Sequence, residues 1–408
     1  MALGNTQKDG QSVADPAGGK RIGILGGGQL GLMLANAAKT LGIEVLVADP
    51  DPHAPASRLG CFKRVAHWAQ AVQVLEERCD ILTWEREDIP LDLLSALPEG
   101  RVASLAALRE TQDRWAQKKL YDALQLPTAA WLLVDGPADA SRVMAQLGLP
   151  VVIKARTGGF DGRGTIVARN GSELLAGLHR CADGGAIVER FVPFDDEVAI
   201  TVVRGTDGRV ESYDPVLTTQ HGGQLAWAVA PHPLAAQVAA LARRIAETLV
   251  QELGYVGAFS VEFFRCGTEL IINEVAPRVH NSAHWTIDAA ETSQFANHVL
   301  AVAGQPLRPA ASRGCALLLN CLGEMLQPLP ATPAEAHYFI HDYGKKSRPR
   351  RKVGHCTLVT TEASLLPAAW LACELNWRQQ LADIDDWATG TSSVSYAGGL
   401  YPVVEPVS

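Results

Sequence analysis

Four stretches of this 408-residue chain combine residue types and spacings that could do chemistry. One is Lys154-Ala155-Arg156-Thr157-Gly158-Gly159-Phe160-Asp161-Gly162-Arg163-Gly164, a lysine ending an apolar run, then four glycines in seven positions. Glycines free the backbone and Lys154, Arg156 and Arg163 supply charge, so the stretch reads as a flap able to close over a polyphosphate. It is not a Walker loop, because the lysine precedes the glycines; a surface hairpin is the plainer alternative. Another is Glu262 in the run Ala258 to Phe264 with Asn273-Glu274 in the run Glu269 to Val275. Carboxylates in apolar strands are costly to bury unpaired, and two on adjacent strands can hold Mg2+ against nucleotide phosphates. A solvent-facing alternation would look similar.

The segment after Glu274 is dense in anion-recognising groups: Arg278, His280, Asn281 and His284 within seven residues. Near the N-terminus, Gly26-Gly27-Gly28-Gln29-Leu30-Gly31 fits GxGxxG, with Asp49 eighteen residues after the last glycine. Such a turn lets a helix N-terminus approach a phosphate, as in dinucleotide sites, or is simply a tight turn. Near the C-terminus, six of the eight residues from Lys345 to Lys352 are cationic. In a chain of net charge −8 this local field would draw a phosphate-bearing small molecule; an import signal or a solvated loop are the alternatives.

These residues need elements to position them. The first is strand, helix, strand: Arg21 to Leu25, Leu30 to Leu41, Ile43 to Asp49, extended by Asp80 to Trp84 and a helical stretch Leu91 to Leu97. Asp113 to Leu124 reads as a helix, Trp131 to Val134 and Val151 to Lys154 as strands. A long helix, Pro233 to Leu253, precedes two strands joined by Arg265-Cys266-Gly267-Thr268, and a helix follows at Gln294 to Ala303. Gln305 to Gly314, with two prolines, is a candidate linker. The expected organisation is a flexible tail 1–20, an α/β domain 21–112, a second domain 113–310 and a small C-terminal domain 311–408. Composition is ordinary for a globular protein, 47% hydrophobic and 20% charged. An acidic total argues against an extended nucleic-acid surface, and apolar runs fall well short of the ~18 residues of a membrane span. Eight scattered cysteines without a CxxC pair fit a reducing cytoplasm.

The motifs IGILGGGQLG, GGFDGRG, NEVAPRVHNSAHWT followed by TSQF, and YGK…RPRRKVGH stand in one order along residues 21 to 360. Their order and spacing resemble the 5-(carboxyamino)imidazole ribonucleotide synthetases, ATP-grasp enzymes of purine biosynthesis. The resemblance implies an α/β and α+β architecture: an ATP-grasp fold with an N-terminal Rossmann-like pre-ATP-grasp domain and a small C-terminal domain. It implies ATP- and bicarbonate-dependent carboxylation of 5-aminoimidazole ribonucleotide through carboxyphosphate, with ATP, two Mg2+ ions and a homodimer. It places ATP against Arg114, Lys154, the flap residues Gly159, Phe160, Asp161, Gly162, Arg163, Gly164 and Thr165, the hinge Glu189, Arg190, Phe191 and Val192, and Glu197, His221, Asn273 and Glu274. Glu262 and Glu274 would be the metal ligands. Asp161, Arg163, Arg278 and His280 would surround bicarbonate and the imidazole, with Asp161 or Glu85 helping to deprotonate the amine. Gln29, Leu30, Lys345 and Arg351 would face the ribonucleotide phosphate.

The chain departs from the family pattern at particular residues. Phe160 replaces the usual Tyr and Thr165 the usual Gln, Thr83 to Asp88 differs from YEFEN, and Thr219 to Leu225 keeps little beyond His221, one glycine and the leucine. Ala283 and Arg350 stand where glycines are usual. These changes cluster around the acceptor and keep open an ATP-grasp paralogue with another acceptor, or a non-catalytic nucleotide binder. A dinucleotide oxidoreductase would leave the other three motifs unexplained.

Overall fold

The structure is a computed structural model. It describes residues 19–158, 164–181, 184–221, 223–232, 234, 236–326, 336–362, 394–397 and 401–404. The N-terminal unit runs β1 (Ile22–Leu25), α1 (Gln29–Leu41), β2 (Val45–Asp49), β3 (Phe62–Arg64), α2 (Trp68–Arg78) and β4 (Ile81–Trp84). β1, β2 and β4 are buried at every position, as expected of parallel strands covered on both faces, and the sheet order is β3-β2-β1-β4, all parallel. α3 (Leu91–Ser95), α4 (Leu105–Gln112) and α5 (Arg114–Ala123) lead out of it. The Asp113 side chain caps α5 by accepting from Trp115 N–H, so the helix starts where the sequence places a capping residue.

A small antiparallel sheet follows, made of β5 (Trp131–Val134), β6 (Val151–Ala155), β7 (Thr165–Ala168) and β8 (Ala186–Arg190) in the order β5-β8-β6-β7. α6 (Ala140–Gln146) and α7 (Gly171–Arg180) close over it around Val143, Ile153, Leu174 and Val188. The larger lobe comprises β9 (Asp196–Arg204), β10 (Val210–Ser212), β11 (Val216–His221), β12 (Gln224–Ala230), α8 (Ala236–Glu252), β13 (Gly257–Cys266), β14 (Glu269–Ala276), α9 (Thr286–Ala289) and α10 (Gln294–Ala303). β15 (Cys315–Leu322), β16 (Ala336–Asp342) and β17 (Lys352–Thr360) then join its sheet, giving nine strands in the path β14-β13-β9-β11-β12-β15-β17-β16 with β10 on β9. β18 (Val394–Ala397) and β19 (Tyr401–Val404) form a separate hairpin.

Three local features differ from the expectations. The β13–β14 connection is Gly267-Thr268 alone, because Arg265 and Cys266 still pair across the hairpin; Gly267 takes the φ of +61° that a tight turn requires. The 305–314 stretch is irregular yet tied down. Asn297 Oδ1 accepts from Arg308 N–H at 3.0 Å while its Nδ2 donates to Arg308 O at 3.0 Å, and Glu291 N–H and Arg313 N–H make further backbone bonds. The sheet also runs across residue 311, because β15 pairs directly with β12. One hydrophobic core accordingly joins Leu32 and Leu34 of α1, Phe295 and Val299 of α10, and Leu318 of β15.

Candidate functional site

The β13–β14 hairpin brings the acidic pair together. Glu262 lies directly opposite Glu274, and the register shifts between Glu262 and Phe263, which leaves Asn273 as the extra residue of a bulge. Strict alternation would turn Asn273 away from Glu274; the bulge lets both face the smaller lobe. Asn273 Oδ1 accepts from Lys154 Nζ at 2.9 Å, and Glu274 Oε2 lies 3.7 Å from Arg114 Nη2. Glu262 Oε1 is 3.7 Å from His280 Nε2. Two carboxylates and an amide carbonyl are hard oxygen donors, and like charges facing each other across a ladder are destabilising until a cation joins them, so the set fits Mg2+.

Opposite the hairpin, the end of β6 holds Lys154. Its Nζ sits 2.8 Å from Glu189 Oε2, while Lys118 Nζ of α5 sits 2.7 Å from Glu189 Oε1. All three side chains are at most 8% exposed. Burial would push the Glu189 carboxyl up, but the two ammonium groups outweigh it and hold the carboxyl down to about 2. Thus Glu189 turns its side chain inward between two lysines. In the next residues, Arg190 donates to the carbonyls of Leu147 and Gln146, Phe191 is partly exposed, and Val192 lines a hollow of about 250 Å³ with Phe191 and Ile271. Arg114 also donates to Ala155 O at 2.9 Å, and Arg156 is ion-paired with Asp113. Glu197, on β9 beside Phe264, has its carboxyl raised to about 7 by burial, a rise opposed by the Gln220 N–H and reinforced by Glu274 and Asp196.

Arg278 is positioned by the N-terminal unit. The carbonyl of Pro277, just before it, accepts from Trp84 Nε1 at 3.0 Å and from Tyr255 Oη at 2.7 Å. The guanidinium is ion-paired with Glu87, a partner the sequence motifs do not single out. His280 is held neutral, its imidazole pushed down to about 3 by burial and by the nearby Arg278 and Lys352 charges. Lys352 donates to Asn281 Oδ1, and Lys345 Nζ donates to Gln29 Oε1 at 2.6 Å, so the cationic loop meets both the Arg278–His284 segment and the glycine turn. Arg351 donates to Lys346 O at 3.3 Å, and Leu30 is buried within α1.

At the glycine turn itself, Glu85 occupies the helix N-terminus. Its carboxylate accepts from Gly28 N–H and, at 2.7 Å, from Gly31 N–H. A Cβ on Gly31 would lie 2.2 Å from the Gly26 carbonyl, so close packing explains that glycine. Asp49 accepts from Gly27 N–H and Asp51 N–H, both at 2.7 Å. Both carboxylates are thereby engaged with the turn, which gives the GxGxxG pattern a structural explanation without a dinucleotide. Glu85 is placed to hold this turn; burial raises its carboxyl against the opposing pull of those two N–H groups.

The expected residues Gly159, Phe160, Asp161, Gly162 and Arg163 and the His221 side chain lie outside the described residues; Gly164 and Thr165 lead into β7. Among the described residues, Asp288, His341 and His355 bring three ligand atoms within 4.8 Å of one another. The His341 and His355 rings are stacked at 4.3 Å and 10°, so their in-plane lone pairs run side by side instead of converging on an ion, and His341 Nε2 is engaged with Asp288 Oδ2 at 2.9 Å. This cluster reads as a packed hydrogen-bonded stack.

Comparison with known proteins follows this division of the chain. Residues 19–105 match the ribonucleotide synthetase preATP-grasp domain, residues 119–295 the ATP-grasp domain, and residues 316–368 the phosphoribosylaminoimidazole carboxylase C-terminal domain. The chain is 38% identical over 353 residues to the N5-carboxyaminoimidazole ribonucleotide synthase of Pseudomonas aeruginosa, covering 85% of this chain and 97% of that one. The crystal structure of the Thermus thermophilus N5-carboxyaminoimidazole ribonucleotide synthetase superposes with a TM-score of 0.78 at 38% identity, covering 89% of this chain and 98% of that chain. A structure of the Aspergillus clavatus enzyme, solved with ADP and 5-aminoimidazole ribonucleotide, gives a TM-score of 0.77 at 28% identity, covering 90% and 99%. With each unit matched in order and relatives covered almost from end to end, the chain belongs to the N5-carboxyaminoimidazole ribonucleotide synthase family of ATP-grasp enzymes.

Proposed function

We propose that this protein uses ATP to carboxylate the exocyclic amine of 5-aminoimidazole ribonucleotide, a step of purine biosynthesis. The observation that supports the site assignment is the Glu262–Glu274 pair on the β13–β14 hairpin of a family member, with Glu274 beside Arg114 and its neighbour Asn273 bonded to Lys154. Bicarbonate oxygen attacks the γ-phosphorus, ADP leaves, and carboxyphosphate forms; the amine nitrogen then attacks the carboxyl carbon, phosphate leaves and a proton is lost. Glu262 and Glu274 would hold magnesium, as two ions, and that metal would supply charge neutralisation on the phosphates. Lys154 and Arg114 hold the polyphosphate, which needs positioned charge more than a nucleophilic side chain. Glu197, its carboxyl raised by burial, suits a ribose hydroxyl, and the main chain of residues 189–192 suits the adenine edge, the Glu189 side chain being turned inward.

Arg278 and neutral His280 hold bicarbonate in this reading, and Glu87 competes with that anion for Arg278 until it arrives. Lys345, bonded to Gln29 at the turn that continues into Leu30, and Arg351 of the same cationic loop take the ribonucleotide phosphate in this reading. Asp161 or Glu85 serves as the base for the amine; the buried turn bonds of Glu85 favour Asp161. Division into units at residues 21–112, 113–310 and 311–408, the last two sharing one continuous sheet, assembly as a homodimer and a cytoplasmic setting complete the proposal. The cysteines among the described residues are free thiols, in keeping with a reducing compartment, and no described helix is long and apolar enough to cross a membrane.

ADP release should be followed with MgATP and bicarbonate, with and without the ribonucleotide, alongside loss of the aromatic amine. Release that depends on the ribonucleotide and matches its consumption is expected. Nucleotide binding without amine loss would overturn the acceptor and leave the ATP site standing.

A further inference from the structure

Glu189 is shared: one carboxylate oxygen faces Lys118 at 2.7 Å and the other faces Lys154 at 2.8 Å. The two lysines differ in what else they do. Lys118 spends a second N–H on the Thr128 hydroxyl, lies under the Tyr121 ring at 5.8 Å and is 3% exposed, so it has no route to a ligand. Lys154 spends a second N–H on Asn273 Oδ1, next to the Glu262–Glu274 pair, and its third N–H meets no protein acceptor among the described residues. The cluster therefore carries one net positive charge, and only Lys154 can present it at the lobe interface.

A buried carboxylate with a single lysine partner would cancel that lysine's charge, because pair interactions are strong where water is excluded. We propose that Lys118 is a positioning residue for the nucleotide: by neutralising Glu189 from behind, it leaves the Lys154 ammonium uncancelled and aimed at the polyphosphate. The inference rests on the ATP-site reading above. Remove Lys118, and Glu189 claims Lys154 for itself. Remove the Glu189 charge as well, and Lys154 regains its hold on the ligand although Lys118 is gone.

That reciprocity separates a charge role from plain packing. Binding of MgADP should be measured by calorimetry for wild type, Lys118→Met, Lys118→Arg and the double variant Lys118→Met/Glu189→Gln, with circular dichroism confirming the fold, and KM and kcat taken for ATP. Lys118→Met should weaken MgADP roughly tenfold and raise KM for ATP by a similar factor, with kcat falling less than about threefold. Lys118→Arg should stay within about threefold of wild type, and the double variant should return to within about threefold. Should Lys118→Met fail to fold, the double variant decides alone, since it removes both buried charges together. Wild-type affinity in Lys118→Met, or a double variant weakened tenfold or more, overturns the proposal. Failure of the wild-type protein to bind MgADP would instead overturn the ATP-site reading beneath it.

Discussion

Glu262 and Glu274 face each other across a hairpin, a like-charge pairing that disfavours the ladder, and the proposed magnesium would offset it. Glu274 is 44% exposed at its side chain, so its loss should leave the fold intact while removing a proposed metal ligand. Glu274→Ala is expected to lower turnover by at least about a thousandfold and to abolish the magnesium dependence of nucleotide binding, with a melting midpoint close to wild type. Normal turnover in that variant would refute the metal assignment. The acids and Lys154 stand out in the sequence as charged residues in apolar strands or before a glycine loop, and Arg278 as one of four polar groups packed into seven residues. Lys118 does not: in Gln117-Lys118-Lys119 it reads like any lysine on an amphipathic helix, and only the β8 partner across the fold shows its burial. Glu87 was hidden in a stretch that departs from the family pattern. Arg350 shows the reverse relation, since it adopts φ +62°, the left-handed conformation in which the family's usual glycine fits without strain.

Among the elements, β4 helps to place the segment from Pro277 to His284. Trp84 fixes the Pro277 carbonyl, and Thr83 Oγ1 lies 3.0 Å from His298 Nε2 of α10. His298 Nδ1 accepts from Ala258 N–H at 3.0 Å, which leaves Nε2 protonated and donating to Thr83. Thr83→Val keeps the shape but strands that donor in a dry site, and should lower unfolding free energy by about 1–3 kcal/mol in a denaturant titration. An unchanged midpoint would show that His298 finds another acceptor. The strands and helices themselves were legible because apolar runs and turn residues mark them. The length of the hairpin turn was not, since Arg265 and Cys266 look like loop residues until their cross-strand partners are known. Nor was the continuation of the large sheet into β15, β17 and β16, because strand pairing across Gln305 to Gly314 leaves no local mark.

At the scale of the whole molecule, buried neutral histidines set the acid limit. His280 is held down to about 3 and His298 to about 4, both chiefly by burial, and His284 and His355 are pushed well below the ordinary value. Below about pH 6.5 the unfolded chain takes up protons that the native state refuses, so this part of the stability is present above 6.5 and lost as pH falls towards 3–4. Glu197, raised to about 7, works in the opposite sense: it favours the native state below about 4.5 and loses that contribution as pH rises through 7. Four histidines outnumber two carboxyls, Glu197 and Glu85, both raised by burial. Unfolding free energy should therefore fall by about 1.4 kcal/mol or more per unit between pH 6 and 5, the slope of one net proton. A flat profile there, with loss only below about pH 4.5 where carboxylates titrate, would contradict it.

ATP-driven activation of bicarbonate for transfer to the ribonucleotide amine is the step on which the proposed reaction depends. It is tested most directly by turnover with bicarbonate labelled with heavy oxygen, reading the label in the released phosphate. Attack of bicarbonate on the γ-phosphorus predicts one labelled oxygen per phosphate, in step with loss of the amine. Unlabelled phosphate, or phosphate formed while the ribonucleotide remains intact, would contradict the account.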